Sequence, residues 1–337
     1  MLKSVFVINH HDERYELPLS NFEESGFLIK DISGMGPIAT SINTSSGALS
    51  PGEFFNSSKI QPRNIVLNLL YYPDSGLIEN QRRLGYKIFE VNTPIDIEFY
   101  TDKAHVVAHG YVETHEPVFF SEMCETSISI VCPDPFLYSR NEKIFSMSNL
   151  VRTFKFYLSP RTKPPENVVT DAAFKNPDPY DPPYNLDPDH GGDPRMDNTL
   201  MMGYYDRSSI KKLYNEGNAS DIGMIIRVVV SADGLTGFTF CNLTNGKRIE
   251  FDDDVMAQIV PDGGLLPGDE LIISSKRGDK HILVRRSGNV YNVLPAKVYS
   301  SDWVTLDSGE NELYYYCNGG DNTADVSVIY TPAFLGV

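Results

Sequence analysis

From residue 4 to residue 330 the chain is a succession of short apolar or alternating runs, broken by glycine, proline, asparagine or aspartate. Runs of five to eight residues are too short for a helix that buries a stripe along its length, but they have the length and pattern of strands. They lie at 4–8, 64–71, 95–100, 104–111, 126–132 and 154–158, then at 223–230, 238–243, 247–251, 270–274, 281–285, 311–316 and 326–330. The clearest hairpin spans 238–251, where two runs flank Thr244-Asn245-Gly246 and Asn-Gly supplies the positive φ of a tight turn. One helix is expected, over 77–89: Leu77, Leu84 and Ile88 recur at helical spacing, and Asp74 or Ser75 precedes them as a cap. Gly85 inside that run disfavours the helix by about 1 kcal/mol. The expected fold class is mainly β.

A length of 337 residues suggests two domains. The first is expected to be 1–148, ending just after Pro133-Asp134-Pro135-Phe136, and the second 149–337. Within the second, nine of the 22 prolines and eight aspartates fall at 160–206, so this stretch reads as an irregular insertion. Its nine acidic and four basic residues leave it acidic, yet it carries Tyr180, Tyr184, Tyr204 and Tyr205. Stiffened by proline, those rings are candidate anchors for a peripheral partner.

Charge and motifs exclude more than they select. A net charge of −16 argues against nucleic-acid binding through phosphates and against docking on anionic membranes. No run of about 18 apolar residues marks a membrane-spanning helix, and the first residues lack the basic and apolar regions of a secretory signal. Cys124, Cys132, Cys241 and Cys317 form no CxxC pair, so they read as free thiols in a reducing compartment. His105, His109 and His115 invite a metal, but i and i+4 on a strand lie about 13 Å apart. Asp252-Asp253-Asp254 and the acidic stretch 187–197 lack EF-hand spacing and read as solvated turns. No nucleophile elbow, zinc-protease or phosphate-loop motif occurs. No catalytic, metal or cofactor site is expected. Near the end, Tyr314 and Tyr316 share one strand face and Tyr315 the other. Burial in a sandwich core is favoured over an exposed sugar platform.

Several segments, taken in order, resemble the distal tail proteins of long, non-contractile-tailed phages. In the first 140 residues these are Gly36-Pro37-Ile38 opening a Gly/Ser-rich loop, the run from Arg63 to Leu69, Arg83-Leu84-Gly85-Tyr86 on the helix, Gly110-Tyr111-Val112-Glu113, and 127–132 leading into Pro133-Asp134-Pro135-Phe136. Later come Tyr214-Asn215-Glu216-Gly217, the 242–246 turn, Leu266-Pro267-Gly268-Asp269, 303–311 and 326–330. The resemblance covers about 85% of the chain and departs from the family at Pro51-Gly52-Glu53 and in the length of the 160–206 insertion. It implies a β-barrel-like N-terminal domain with one helix, six copies of which close a ring, and a galectin-like C-terminal β-sandwich. It further implies a structural virion protein, made in the host cytoplasm, that joins the tail tube protein to the tail-associated hub protein. DNA would pass through its lumen, and receptor-binding proteins would attach at its periphery. The segment 33–58 is then expected to be a loop reaching a neighbour. The runner-up is a cell-wall carbohydrate-binding adhesin.

Overall fold

The computed structural model describes residues 2–19, 25–47, 51–72, 78–118, 124–147, 150–157, 199–205, 210–230, 234–319 and 324–337. The first part contributes strands β1 (Leu2–Ile8), β2 (Arg14–Leu17), β3 (Phe27–Ser33), β4 (Thr40–Ser46), β5 (Glu53–Ile60) and β6 (Arg63–Tyr71), then helix α1 (Ile78–Ile88). Next come β7 (Pro94–Thr101), β8 (His105–Pro117), β9 (Glu125–Cys132) and β10 (Leu137–Ser139). Their main sheet runs β2-β1-β7-β8-β9-β6-β3, antiparallel throughout. Strict alternation, as in β6 with Ile65, Leu67 and Leu69 buried, sends one face into a core that also holds Ile88 and Phe89.

The mainly β class stands as expected; the sheet is an open path, and no closed barrel forms among the described residues. The end strands β2 and β3 do not pair. The apolar face is covered instead by α1, whose Ile88 joins the core of Val5, Val7, Leu17 and Ile97. The helix forms at 78–88 despite Gly85, and the structure supplies the reason for that glycine. A Cβ there would lie 2.6 Å from the Tyr71 hydroxyl. The proposed caps Asp74 and Ser75 lie outside the described residues.

The later strands are β11 (Lys143–Ser146), β12 (Leu150–Tyr157), β13 (Thr199–Tyr205), β14 (Ile210–Asn215), β15 (Ile222–Val230), β16 (Thr239–Asn242) and β17 (Lys247–Glu250). After α2 (Asp253–Ile259) follow β18 (Glu270–Ser274), β19 (His281–Arg286), β20 (Asn289–Asn292), β21 (Thr305–Leu306), β22 (Gly309–Tyr316), β23 (Ala324–Tyr330) and β24 (Ala333–Phe334). One sheet is ordered β11-β23-β15-β18-β19-β20, with β21 on β15, and the other β14-β22-β16-β17. Inward residues of both, including Met224, Ile226, Val228, Val284 and Val328 from the first and Leu213, Phe240, Ile249 and Leu313 from the second, make one β-sandwich core.

The turn motifs turn out to be buried polar nodes. Asn242 is fully buried, and its Nδ2 donates to Thr305 O at 2.8 Å and to Asn311 Oδ1 at 2.9 Å. Asn215 Oδ1 accepts from Gly217 N at 3.1 Å. Asp269 accepts from Leu266 N at 2.8 Å and from Arg286 Nε at 2.8 Å, which holds the tip between β15 and β18. The three aspartates at 252–254 are not a solvated turn. Asp252 caps α2, its side chain accepting from Asp254 N at 3.0 Å and Val255 N at 3.2 Å.

Residues 148–209 separate from the rest as a compact unit of their own. Within it β12 and β13 pair antiparallel, Leu150 opposite Tyr205 and Val151 opposite Tyr204. The chain's last strand returns to the first sheet: β24 pairs with β10, while β11 pairs with β23.

Candidate functional site

Residues 33–62 leave the core sheet and come back to it as a hairpin rather than the expected loop. Gly34 makes the exit. Its φ is +86°, and a Cβ there would lie 2.0 Å from Asn64 O, a space no other residue fits. Among the described residues, strands β4 and β5 then pair only with each other. Serine, threonine and asparagine dominate them, which is why the stretch read as a loop. Short polar side chains still satisfy each other across the ladder, Asn43 Nδ2 donating to Ser57 Oγ at 3.1 Å and Ser45 Oγ to Asn56 Oδ1 at 3.2 Å.

The register decides what each face presents. Pairing runs Thr40–Ile60 to Asn43–Ser57, then shifts so that Thr44 faces Phe55 and Ser46 faces Glu53. The extra residue, Asn56, restores Phe55 to the face that carries Ile42 and Ile60. Thr44 Oγ1 donates to Glu53 across this same face. The opposite face holds Ser41, Asn43, Ser45 and Lys59 around Phe54. Exposures of 62% for Ile42, 66% for Phe55, 41% for Ile60 and 61% for Phe54 leave all four open to solvent among the described residues. A lone two-stranded ribbon is marginal in water, and both of its edges are open.

The base of the hairpin is rigid. Arg63, the first residue after it, is 4% exposed, and its guanidinium meets only carbonyls: Nε donates to Pro135 O at 2.7 Å, Nη1 to Gly36 O at 3.0 Å and to Gly34 O, and Nη2 to Leu335 O at 2.6 Å. Burial holds its pKa below the ordinary arginine value. Arg63 thereby ties together both ends of the hairpin, the β9–β10 connection and the C-terminus.

The other sequence candidates do not converge. His105 stacks on Tyr100 with centroids 3.8 Å apart, and burial lowers its pKa. His109 Nδ1 lies 2.7 Å from Asp96 Oδ1, which raises its pKa. His115 bridges Tyr71 Oη at 3.0 Å and Phe89 O at 3.3 Å, with its pKa lowered by burial. Tyr315 is buried beside Phe238, whereas Tyr314 and Tyr316 lie together on the other face of β22 with centroids 5.8 Å apart. No disulfide joins any of the four cysteines, and burial raises the Cys132 thiol to about 11. Tyr180, Tyr184 and the acidic stretch 187–197 lie outside the described residues, and Tyr204 and Tyr205 lie on β13. No helix among the described residues is long and apolar enough to cross a membrane.

No protein-family model matches the chain, and no curated protein matches it in sequence. Among solved structures, the crystal structure of the Dit protein (gp 19.1) of phage SPP1 superposes with a TM-score of 0.58 at 11% identity, covering 98% of this chain and 99% of that one. The chain has the fold of a phage distal tail protein. That SPP1 protein is described as a paradigm of the hub adsorption apparatus in phages infecting Gram-positive bacteria. A chain of the phage P2 baseplate in its activated conformation also matches over 98% of both chains, at 9% identity and a TM-score of 0.45.

Proposed function

We propose that this chain is a structural component of a phage tail tip, six copies of which close a ring between the tail tube and the hub. The observation that carries the reading is the unpartnered hairpin of β4 and β5, seated on a rigid base, with Ile42, Phe55 and Ile60 on one face. A second copy is the natural cover, because every copy in a closed ring both offers the hairpin and receives its neighbour's. The full-length likeness to the SPP1 Dit protein supports the same reading. The net charge of −16 suits a lumen through which DNA slides without adhering. In this reading Tyr180, Tyr184, Tyr204 and Tyr205 of the 160–206 insertion anchor a peripheral partner, and the chain performs no catalysis.

Light scattering and negative-stain micrographs of the purified protein test it. A discrete hexameric ring is expected, alone or beside tube or hub partners. The triple variant I42S/F55S/I60S is expected to keep its strand content and lose the ring. A monomer that forms no ring with either partner overturns the proposal, as does a triple variant that still assembles. Deleting 164–197 is expected to leave ring size unchanged and to weaken attachment of the peripheral protein.

A further inference from the structure

The turn between β1 and β2 places two histidines against the end of α1. Asn9, itself buried, shapes this turn: its Oδ1 accepts from His11 N and from Glu13 N, both at 3.0 Å, and Asp12 takes a φ of 60°. In a straight strand His10 and His11 would point to opposite faces. Here their rings lie 3.7 Å apart, centroid to centroid. Glu90, two residues beyond α1, brings Oε2 to 3.5 Å from His10 Nε2. One donor atom from each of His10, His11 and Glu90 lies within 4.8 Å of the other two. A second tie fixes the same two elements, Lys87 Nζ donating to Glu13 Oε1 at 2.8 Å. That tie engages the nearby ammonium with its own carboxylate, so the lysine charge is already matched beside the cluster.

We infer that His10, His11 and Glu90 form a surface site for a divalent transition-metal ion of the zinc class. Donors bound to tetrahedral zinc at about 2.0–2.2 Å stand roughly 3.3–3.5 Å apart, the separation already held between His10 and Glu90. A modest rotation of the exposed His11 ring completes a set of two imidazoles and one carboxylate. That donor chemistry selects zinc, nickel or copper over calcium and magnesium, which prefer all-oxygen cages. His10 Nδ1 is shielded and has no hydrogen-bond partner among the described residues, so the exposed Nε2 is the ring nitrogen open to an ion. The fourth position faces solvent and takes water. Bound metal clamps the β1–β2 turn to the end of α1. The inference stands apart from the ring reading, since every ligand comes from one chain.

The test uses the full chain made without a histidine tag, stripped with chelator and titrated with zinc chloride in a calorimeter. One zinc per chain is expected, with no competition from millimolar calcium. H10Q, H11Q and E90Q are each expected to lower affinity by at least the roughly tenfold that loss of even an outer-shell partner costs. H109Q, at the separate His109–Asp96 pair, is expected to bind as the parent does. Cobalt should give the visible absorption bands of a tetrahedral complex in the parent and none in H10Q/H11Q. Circular dichroism confirms that the variants are folded. Absence of zinc binding, or one-to-one binding that survives in all three ligand variants, overturns the assignment. In that case His10 and Glu90 are an ordinary surface contact.

Discussion

Arg63 shows what one side chain can do when its partners are all carbonyls. A guanidinium offers five donors in a fixed fork, whereas an ammonium offers a point charge. Only the fork reaches Gly34, Gly36, Pro135 and Leu335 together. Arg63→Lys should therefore not rescue the site. Both R63K and R63M are expected to destabilise the chain, R63M by about 3 kcal/mol or more, because several charge-assisted bonds go and buried carbonyls lose their donor. Denaturant midpoints at constant m-value check this. His115 makes a different residue-scale case. Burial holds its folded pKa below the unfolded value of about 6.5. The unfolded chain then binds the extra proton first, so this contribution to stability is complete above pH 6.5 and is lost as pH falls toward the folded pKa. His109, raised by Asp96, works in the opposite sense: its contribution is complete below 6.5 and lost as pH rises through its folded pKa. Melting temperatures from pH 5 to 8 are expected to show the gap between parent and H115Q shrinking on acidification, and the gap to H109Q shrinking on alkalinisation.

At the scale of elements, α1 and α2 differ in what holds them. Helix α1 is an 11-residue element whose Gly85 admits the Tyr71 ring and whose Ile88 is buried in the core. Helix α2 has seven residues, below the length at which propensity alone sustains a helix. Its N-terminus depends on Asp252, whose carboxylate accepts from two backbone amides that have no partner within the helix. D252A is expected to cost about 1 kcal/mol. D254A, which removes a neighbouring charge but no cap, is expected to cost well under half of that. Chemical denaturation of the two variants in parallel separates a capping role from a general effect of the acidic triplet.

For the whole molecule, the last five residues are a fastening. β24 pairs with β10, Val337 N donates to Met35 O at 3.1 Å, and Leu335 N donates to Asn218 Oδ1 at 2.7 Å. Ala333 is fully buried with Phe136, Ala219 and Ile222, and a Cβ at Gly217 would lie 2.3 Å from Ala333 O. Deleting 333–337 is expected to lower the melting temperature by several degrees and to loosen the hairpin base, since Arg63 loses the Leu335 acceptor. Deletion and R63M share that contact, so their costs should not add. A double-mutant cycle is expected to return a coupling of about 1–3 kcal/mol. By the same argument a fragment 1–148, lacking β24, should assemble less readily than the full chain unless the missing strand is supplied as a peptide.

The period-two alternation of apolar residues is a local property, and it put β6, β7, β9, β15, β18, β19 and β23 in the sequence within a few residues of their observed ends. Turn chemistry is local too, so the 243–246 turn and the Gly268 tip were also legible. The strands β4 and β5 were not, because polar β-residues carry no burial signal when neither face enters a core. Nor could alternation tell which face of β22 would be inside; that was set by the sheet it packs against. The cap at Asp252 was hidden because three adjacent acids look alike until a helix direction singles one out. Convergence across long separations was beyond any local pattern: Arg63 meets Leu335 272 positions away, and His10 meets Glu90 across the β1–β2 turn and α1. Strand identity follows from neighbouring residues competing for one buried face, so the sequence determines it. Which distant groups meet depends on how sheets and chain ends close over one another, so only the tertiary structure decides it.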